Sequence, residues 1–573
     1  MKKYSVNKRR YLLITEKLNP PESFQDGGFR LVQTLKKFMA DNLDVIQFGE
    51  ENSGNCLSHV TYPNKNSNRF LRRIANADFI ADTILKIADN YTDFIFIHIS
   101  MVFGFQNRKP SGKTFWVFPM FLTPSYIQSN ENPPNEYSDM EFQALELADR
   151  IISPSYYERE QITKYYSIPI DKIKVIPRGI NMDIFPPTLN KVIENDKIVF
   201  CCLGSIKKQK NTIGLIQLFA KICNVYPKSK LNIIGAIQDS RYFDEVLMEI
   251  DRFKLKDNVF FKGHIILHNL SSELSNAHIH ISTSNCETFG RAIFETLSSG
   301  IPNICKKSHN AVYDYLMNYP FIRFYDREDE AIEFIAEILK EYSTYVPMCS
   351  KIGRIYDENK LGVLIASELQ FSEKLIISDF DGTLYHKNNI PNTSLCIQQF
   401  NKYNLRIICT SRPLQDIQIK IQELKLEPDY IIAWSGAVIA DKVGEILWVN
   451  GIDEENMHEV GIKLPPDIIP VSFSNKVIQY VVNGNINEKF PFKFRTENYQ
   501  DKTFISAWDS TKLIAIQKLL DLIGWEGRVV CYGDSKYDQE YLRFYDGFLV
   551  TGKNNDNIKL RTIEEIEFEN EYC

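Results

Sequence analysis

The sequence predicts an α/β protein built from several doubly wound, mostly parallel sheets. Short β-rich apolar runs (RYLLITE, LDVIQFG, DFIFIHIS, KIVFCCLG, KLNIIG, VFFKG, IHISTS, KLIISDF, LRIICTS and GRVVCYGD) alternate with amphipathic segments along nearly the whole chain. That alternation is the pattern of strand–helix units. Several runs are apolar throughout instead of alternating, as parallel strands covered on both faces require. The 573 residues suggest about three to four domains, and no repeat or low-complexity tract interrupts them.

Composition narrows the class. A hydrophobic fraction of 44% and a charged fraction of 24% are those of a soluble globular protein. A net charge of −6 gives no reason to expect nucleic acid or an anionic membrane as partner. The eleven cysteines are scattered without CxxC pairs, and the basic start MKKYSVNKRRYLLITEK holds an apolar run too short for a signal sequence or a membrane span. These features predict reduced thiols and a cytoplasmic location. Peripheral membrane attachment is left open.

Three blocks follow in order: 1–190, 191–370 and 371–573. The first carries a Gly27-Gly28 loop after its first strand and ends in ADRIISPSYYEREQITKYYSIPIDKIKVIPRGINMDIF, a strand–helix–strand pattern that crosses into the second block. The second opens with CLGSIKKQKN, a strand, a glycine turn and Lys210 near the start of a helix. It continues with ISTSNCETFGRAIFETLSSGIPNIC. Glu287 and Glu295 are eight residues apart, and Thr288-Phe289-Gly290 between them reads as a loop feeding the helix RAIFETLSSG. A helix start with free N–H groups and a positive dipole end suits an anionic diphosphate, and Glu295, one turn in, can grip ribose hydroxyls. The run KKQK belongs in part to this loop, and REDEAIE reads as a solvated helix start.

Together these segments resemble the GT-B retaining glycosyltransferases of the glycogen-synthase and sucrose-phosphate-synthase type, family 4. The resemblance covers about residues 8 to 350 and is strongest from Ala148 to Pro302. It implies two Rossmann-like domains with a nucleotide-diphosphate sugar bound between them. Lys210 would neutralise the diphosphate, Glu295 would hold the ribose, and Glu287 with the amides of Phe289 and Gly290 would contact the donor sugar. Gly27 and Gly28 would allow the N-terminal loop to approach the phosphates or the acceptor. Side chains and helix dipole can stabilise the charged leaving group, so no metal is required in this half. The chain departs from the family at Ser205, where an arginine is usual; Lys207 and Lys208 are the nearby cations, but neither offers a guanidinium fork. His98 is the candidate for the acceptor-domain histidine, with a plain strand-end histidine as the other reading.

In the third block DFDGTL places Asp379 and Asp381 just past an apolar strand. Residues i and i+2 project to the same side of an extended chain, so two carboxylates converge, and Gly382 lets the chain turn away. Such a pair can hold a hard divalent cation and offer one oxygen as nucleophile. LRIICTSRP ends a second strand in Thr410, Ser411 and Arg412. Lys512 starts an amphipathic helix, and GRVVCYGDSKYDQEYL ends a third strand in Asp534, Ser535 and Asp538. In open parallel sheets ligands bind at such C-terminal strand ends.

This ordered set resembles the haloacid dehalogenase superfamily of phosphohydrolases. The resemblance implies that Asp379 attacks phosphorus to form an aspartyl phosphate, and that Asp381 protonates the leaving oxygen and then activates water. Thr410 would hold a phosphoryl oxygen and Lys512 would balance charge. Mg²⁺ would lie on Asp379, Asp534 and the Asp381 carbonyl, with Arg412, Ser535 and Asp538 in support. About a hundred residues separate Thr410 from Lys512, more than a βα connection needs. The part from about Ala440 to Thr503, with the runs EILWVNG, VIQYVVNG and KFRTEN, is a small α+β C2-type cap by the same resemblance, which favours a small phosphorylated sugar.

The two halves together suggest a bifunctional enzyme: sugar transfer to a phosphorylated acceptor, then hydrolysis of the phosphate, which pulls the transfer forward. A transferase of surface-polysaccharide synthesis whose phosphatase serves a separate step is also compatible. So is a C-terminal block that only senses a phosphosugar.

Overall fold

All ten apolar runs form strands. The computed structural model describes residues 9–16, 27–49, 58–188, 191–194, 197–307, 309–370, 374–387, 389–452, 469–473, 475–484, 494–499, 502–525, 527–551 and 559–561. The chain divides into two units, Met1–Gln370 and Phe371–Cys573.

The first unit holds two parallel sheets. One has seven strands in the order Ser58–Val60, Leu43–Phe48, Tyr11–Thr15, Asp93–Ile97, Thr114–Phe118, Arg150–Ser153 and Ile173–Val175. Its centre shows why the runs are apolar without alternation. Leu12, Ile14, Phe94 and Phe96 pack in the core on one face, while Tyr11, Leu13, Ile95 and Ile97 pack in the core on the other. Successive side chains point to opposite faces, and both faces are covered. The second sheet has six parallel strands in the order Val259–Gly263, Lys230–Ile234, Val199–Leu203, Ile279–Ser282, Asn303–Lys306 and Ile322–Tyr325.

The last helix of this unit, Glu358–Gln370, returns to the first sheet. Ile365, Ala366 and Leu369 share a core with Tyr11, Leu13, Leu31 and Val32, and the Tyr11 hydroxyl donates to the Leu369 carbonyl at 2.7 Å. The sequence reading placed these residues with the second block. Their apolar positions carry no mark of which sheet they cover, and tertiary packing makes the assignment.

The second unit is an eight-stranded sheet in the order Ile446–Val449, Val438–Asp441, Tyr430–Ala433, Leu405–Cys409, Lys374–Ser378, Arg528–Gly533, Phe548–Thr551 and Lys559–Arg561. Its middle five strands are parallel and its edges antiparallel. A separate antiparallel sheet joins Ile469–Phe473, Lys476–Asn483, Lys502–Ala507 and Phe494–Tyr499. The run EILWVNG, read with this small sheet, forms instead a hairpin with Val438–Asp441 on the main sheet. The Asp441 carboxylate accepts from the amides of Val443 and Glu445 at 3.0 and 2.8 Å, a local turn that folds the run back on its neighbour. Among the described residues, no helix is long and apolar enough to cross a membrane.

Just past the first strand, Glu16 accepts from Arg73 at 3.2 Å and from the Tyr62 hydroxyl at 3.1 Å, tying the helix Arg69–Ala75 to the sheet's C-terminal edge. Burial works to raise the Glu16 carboxyl, but Arg73 and the charge of His98 hold it down to about 2. The folded value lies below the ordinary 4.5, so this stabilisation is complete above that pH and is lost as pH falls toward 2. Glu16→Gln is therefore expected to melt well below wild type at pH 7, and the gap between their melting temperatures should narrow by pH 3.

Candidate active sites

A cavity of about 840 Å³ opens where the C-terminal strand ends of the two parallel sheets of the first unit face each other. Lys210 reaches it from a 3₁₀ turn, Lys208–Lys210. The next residue, Asn211, is left-handed and caps the helix Thr212–Val225 by accepting from the Gly214 amide at 3.2 Å. The Thr283 hydroxyl pins this turn by donating to the Asn211 carbonyl at 3.0 Å. Its place fixed, the Lys210 ammonium donates to Glu287 at 2.5 Å. Burial works to raise the Glu287 carboxyl, but the Lys210 charge and hydrogen bonds from Lys210 and Ser284 outweigh it and hold the group below its ordinary value.

Gly290 precedes the helix Arg291–Ser298 with a φ of +75°. A Cβ there would sit 2.4 Å from Val312 Cγ2, so both conformation and space call for glycine. The Phe289 ring turns inward and stacks on Phe294 at 4.7 Å. One turn into the helix, the buried Glu295 accepts from Arg30 at 2.7 Å. Arg30 belongs to the helix Gly27–Met39 of the first sheet's side, so this pair joins the two walls of the cavity.

The structure thus brings Lys210, Glu287, Phe289, Gly290 and Glu295 to one cavity. Ser205 and Lys207 also line it. Gly27 and Gly28 open the helix that carries Arg30, Leu31 and Thr34 to the cavity, and the preceding loop lies outside the described residues. His98 is not among the lining residues. Its φ of 97° and the contact of its Nδ1 with the Ser100 hydroxyl at 2.9 Å mark a constrained strand end. Arg30, Arg69, Arg178, Arg291 and Glu358 line the cavity without having been singled out in the sequence. Arg30, two residues past a glycine pair, and Arg291, directly after Gly290, had a local signal; Arg69, Arg178 and Glu358 have none, because their neighbours come from distant segments. In the run REDEAIE the Glu330 carboxylate accepts from the Asp326 and Arg327 amides at 3.1 Å, a helix start on the surface.

In the second unit Asp379 follows the strand Lys374–Ser378 and its amide donates to the Tyr532 carbonyl of the neighbouring strand at 2.9 Å. Lys512 is the first residue of the helix Lys512–Ile523, capped by Thr511. Its ammonium donates to Asp379 at 2.6 Å and to Asp538 at 2.6 Å, all three groups being buried. The second Asp538 oxygen accepts from the Asp534 amide at 3.1 Å, the Ser535 amide at 3.0 Å and the Ser535 hydroxyl at 2.7 Å. One Asp holds both the lysine and the loop that carries Asp534.

Asp379, Asp534 and Asp538 each offer an oxygen within 4.8 Å of the others; with Asp538 engaged by Lys512 and the Ser535 loop, Asp379 and Asp534 are the hard donors that fit a divalent cation. Gly382, at a φ of +79°, makes room for the Asp534 carboxylate: a Cβ would meet its Oδ2 at 2.0 Å. Burial pushes the Asp379 carboxyl up, against the pull of Lys512 and with the help of Asp538 and Asp534; a bound cation would oppose that push. Thr410, buried at the end of the strand Leu405–Cys409, accepts from the Arg412 amide at 3.2 Å. Arg412 forks the Asp381 carboxylate at 2.6 and 2.7 Å and lies over the Phe380 ring. The sequence marked Arg412 and Asp381 but not their pairing. Unmarked too was Glu497 of the small sheet, which accepts from the Ser435 hydroxyl at 2.9 Å and from Arg495 at 3.1 Å. It docks that sheet on the turn after Tyr430–Ala433.

Comparison with known families agrees with this geometry. Residues 49–184 match the family model of Glycosyltransferase Family 4, residues 189–354 that of Glycosyl transferases group 1, and residues 376–524 that of haloacid dehalogenase-like hydrolases. Poly(glycerol-phosphate) alpha-glucosyltransferase from Bacillus subtilis is 34% identical over 139 residues, 24% of this chain and 19% of that protein. D-inositol 3-phosphate glycosyltransferase from Paenarthrobacter aurescens is 22% identical over 189 residues, 31% of this chain and 45% of its own length. The chain thus spans less than half of either curated relative. Sucrose-phosphate synthase from Thermosynechococcus elongatus shares the fold of the first unit, with a TM-score of 0.54 and 15% identity over 63% of this chain and 98% of its own.

Gly382→Ala is expected to displace Asp534 and to weaken Mn²⁺ binding, read by electron paramagnetic resonance, at least about tenfold, with circular dichroism unchanged.

Proposed function

Taking the chain as glycosyltransferase group 1 and family 4 domains joined to a haloacid dehalogenase-like hydrolase domain, we propose a bifunctional enzyme. Its first unit moves a sugar, with retention, from a nucleotide-diphosphate sugar to a small phosphorylated acceptor. Its second unit hydrolyses a sugar-phosphate monoester. One observation carries the first half of this reading: Lys210–Glu287 and Arg30–Glu295 flank a helix start within a single cavity. The names of the two curated relatives, which refer to poly(glycerol-phosphate) and D-inositol 3-phosphate, support a phosphate-bearing acceptor.

In the transfer half, the donor diphosphate takes the place beside Lys210, whose ammonium is held on Glu287 until a stronger anion arrives. The amides at the start of Arg291–Ser298 meet the charge that grows on the leaving diphosphate. Glu295, oriented by Arg30, accepts from the ribose hydroxyls. Glu287, once Lys210 turns to phosphate, is left to accept from the donor sugar.

In the hydrolytic half, an Asp379 oxygen attacks phosphorus, the ester oxygen leaves, and an aspartyl phosphate forms. Lys512 holds Asp379 in line and Thr410 donates to a phosphoryl oxygen. Asp381 gives a proton to the leaving oxygen, then takes one from the water that cleaves the aspartyl phosphate. Both Asp381 oxygens now sit on Arg412, so one must leave the fork before that proton can move. A divalent cation, Mg²⁺ by the family resemblance, would be held by Asp379, Asp534 and the Asp381 carbonyl, since both Asp538 oxygens are engaged. When bound it neutralises phosphoryl charge.

Incubating the protein with a panel of nucleotide sugars and sugar phosphates, with products followed by mass spectrometry, tests both halves. Wild type is expected to yield a free glycoside, and Asp379→Asn to accumulate the phosphorylated one, with phosphate release down by about a thousandfold or more. Chelation of divalent cations should mimic that variant. Glu295→Gln should weaken donor binding by about tenfold and leave phosphate release from added sugar phosphates intact. No glycoside from a broad panel would sink the transfer half; phosphate release unchanged in Asp379→Asn would sink the other.

A further inference from the structure

One turn of the second unit supports both Thr410 and Lys512. Trp434, Ser435 and Gly436 follow the strand Tyr430–Ala433. The Trp434 amide donates to the Arg412 carbonyl at 3.0 Å, and the Ser435 amide to the Thr410 carbonyl at 3.1 Å. Gly436 packs on the peptide that opens the Lys512 helix: a Cβ there would meet the Thr511 carbonyl oxygen at 2.3 Å and the Lys512 nitrogen at 3.0 Å. The turn that carries this load is in a costly conformation. Trp434 and Ser435 have φ of 48° and 54°, and two successive left-handed residues with a Cβ persist only where surrounding contacts hold them. Two such contacts come from the small sheet. The Trp434 ring lies 5.4 Å from that of Phe473, and the Ser435 hydroxyl donates to Glu497 Oε2 at 2.9 Å. Ser435 and Glu497 are 4% and 8% exposed, so water does not replace the bond when either partner is lost. The other Glu497 oxygen accepts from Arg495 at 3.1 Å, which fixes the carboxylate in place.

We propose that Ser435 and Glu497 are positioning residues of the hydrolytic reaction: through their hydrogen bond the small sheet holds the turn that sets Thr410 and Lys512. The proposal rests on the hydrolytic reading above, and it gives the small sheet a part in the chemical step that is separate from any contact with substrate. The path is short. Glu497 holds the Ser435 side chain, the Ser435 amide holds the Thr410 carbonyl, and in that reading the Thr410 hydroxyl donates to a phosphoryl oxygen. Without the Glu497 bond the turn relaxes out of the left-handed region. The Ser435 amide then turns away from Thr410, and Gly436 no longer braces the Thr511–Lys512 peptide. Thr410 and the Lys512 ammonium, which holds Asp379 at 2.6 Å, lose their mutual alignment. A displacement of about 1 Å at a reacting group lowers a rate by about a hundredfold. Ser435 and Glu497 are both buried, so the loss falls on the chemical step and is the same whatever group the phosphate leaves.

The test measures phosphate release by the full-length protein with Mg²⁺, from acetyl phosphate, which has no sugar, and from a panel of hexose phosphates. Ser435→Ala and Glu497→Leu are expected to lower kcat at least about tenfold on both kinds of substrate, with KM unchanged and with the two losses not adding in the double variant. Two further variants separate positioning from folding. Glu497→Gln, whose amide oxygen still accepts from Ser435, should recover most of the lost kcat. Ser435→Gly, which has no hydroxyl but takes a left-handed φ freely, should be faster than Ser435→Ala. Losses confined to the hexose phosphates, or carried by KM, overturn the proposal, since Glu497 then reads the substrate directly. So does wild-type kcat in Ser435→Ala and Glu497→Leu, a Glu497→Gln as slow as Glu497→Leu, or a Ser435→Gly no faster than Ser435→Ala. In all of these cases wild type still releases phosphate and the hydrolytic reading stands. If wild type releases phosphate from none of the substrates, that reading falls first and the positioning role with it.

Discussion

A parallel strand covered on both faces has no lateral route by which a polar side chain can reach a ligand, so chemistry is confined to the strand ends. The three large sheets obey this constraint. Tyr11 to Ile14 are buried in two cores on opposite faces, and Glu16 just beyond them is the first residue of that segment with a carboxylate to place. Asp379 and Asp381 stand in the same relation to Lys374–Ser378, Thr410 to Leu405–Cys409, and Asp534 to Arg528–Gly533. The helix Glu358–Gln370 covers one face of the first sheet, and so belongs to the same constraint: without it Tyr11 and Leu13 would lose their cover.

Confining charged groups to strand ends half-buries them, and a half-buried charge needs a partner. The two units meet that need differently. Around Asp379 the charges are closed among themselves: Lys512 bridges two buried carboxylates, and Asp538 spends its other oxygen on the Asp534 loop. Every charged group of this cluster thus has a partner within the unit itself. The cavity of the first unit is closed only in part. Lys210 and Arg30 have carboxylates, and Lys207 has none among the described residues.

The small antiparallel sheet adds a different kind of control. Glu497, buried against Ser435, and Arg495 beside it carry polar groups from that sheet to the turn following Tyr430–Ala433, where the Ser435 amide donates to the Thr410 carbonyl at 3.1 Å. A buried polar contact of this kind fixes where the sheet sits.

The sequence by itself determined the strands, the order of the blocks, and the residues whose chemistry is local. An apolar run ending in DFDGTL, TSR or GDSKYD needs no partner to be legible, because the strand period and the glycine turn fix which way its carboxylates point. Lys210, Glu287 and Glu295 were legible for the same reason, through a glycine turn and a helix start. Tertiary structure decided what adjacency in sequence cannot encode. It brought Arg30 to Glu295 across 265 residues, turned Arg412 onto Asp381, sent Glu358–Gln370 back to the first sheet, and drew the run EILWVNG into a main-sheet hairpin. An arginine on an amphipathic helix looks the same in sequence whether it meets solvent or a carboxylate; only packing in three dimensions sets the distance and the surrounding dielectric, on which Coulomb attraction depends.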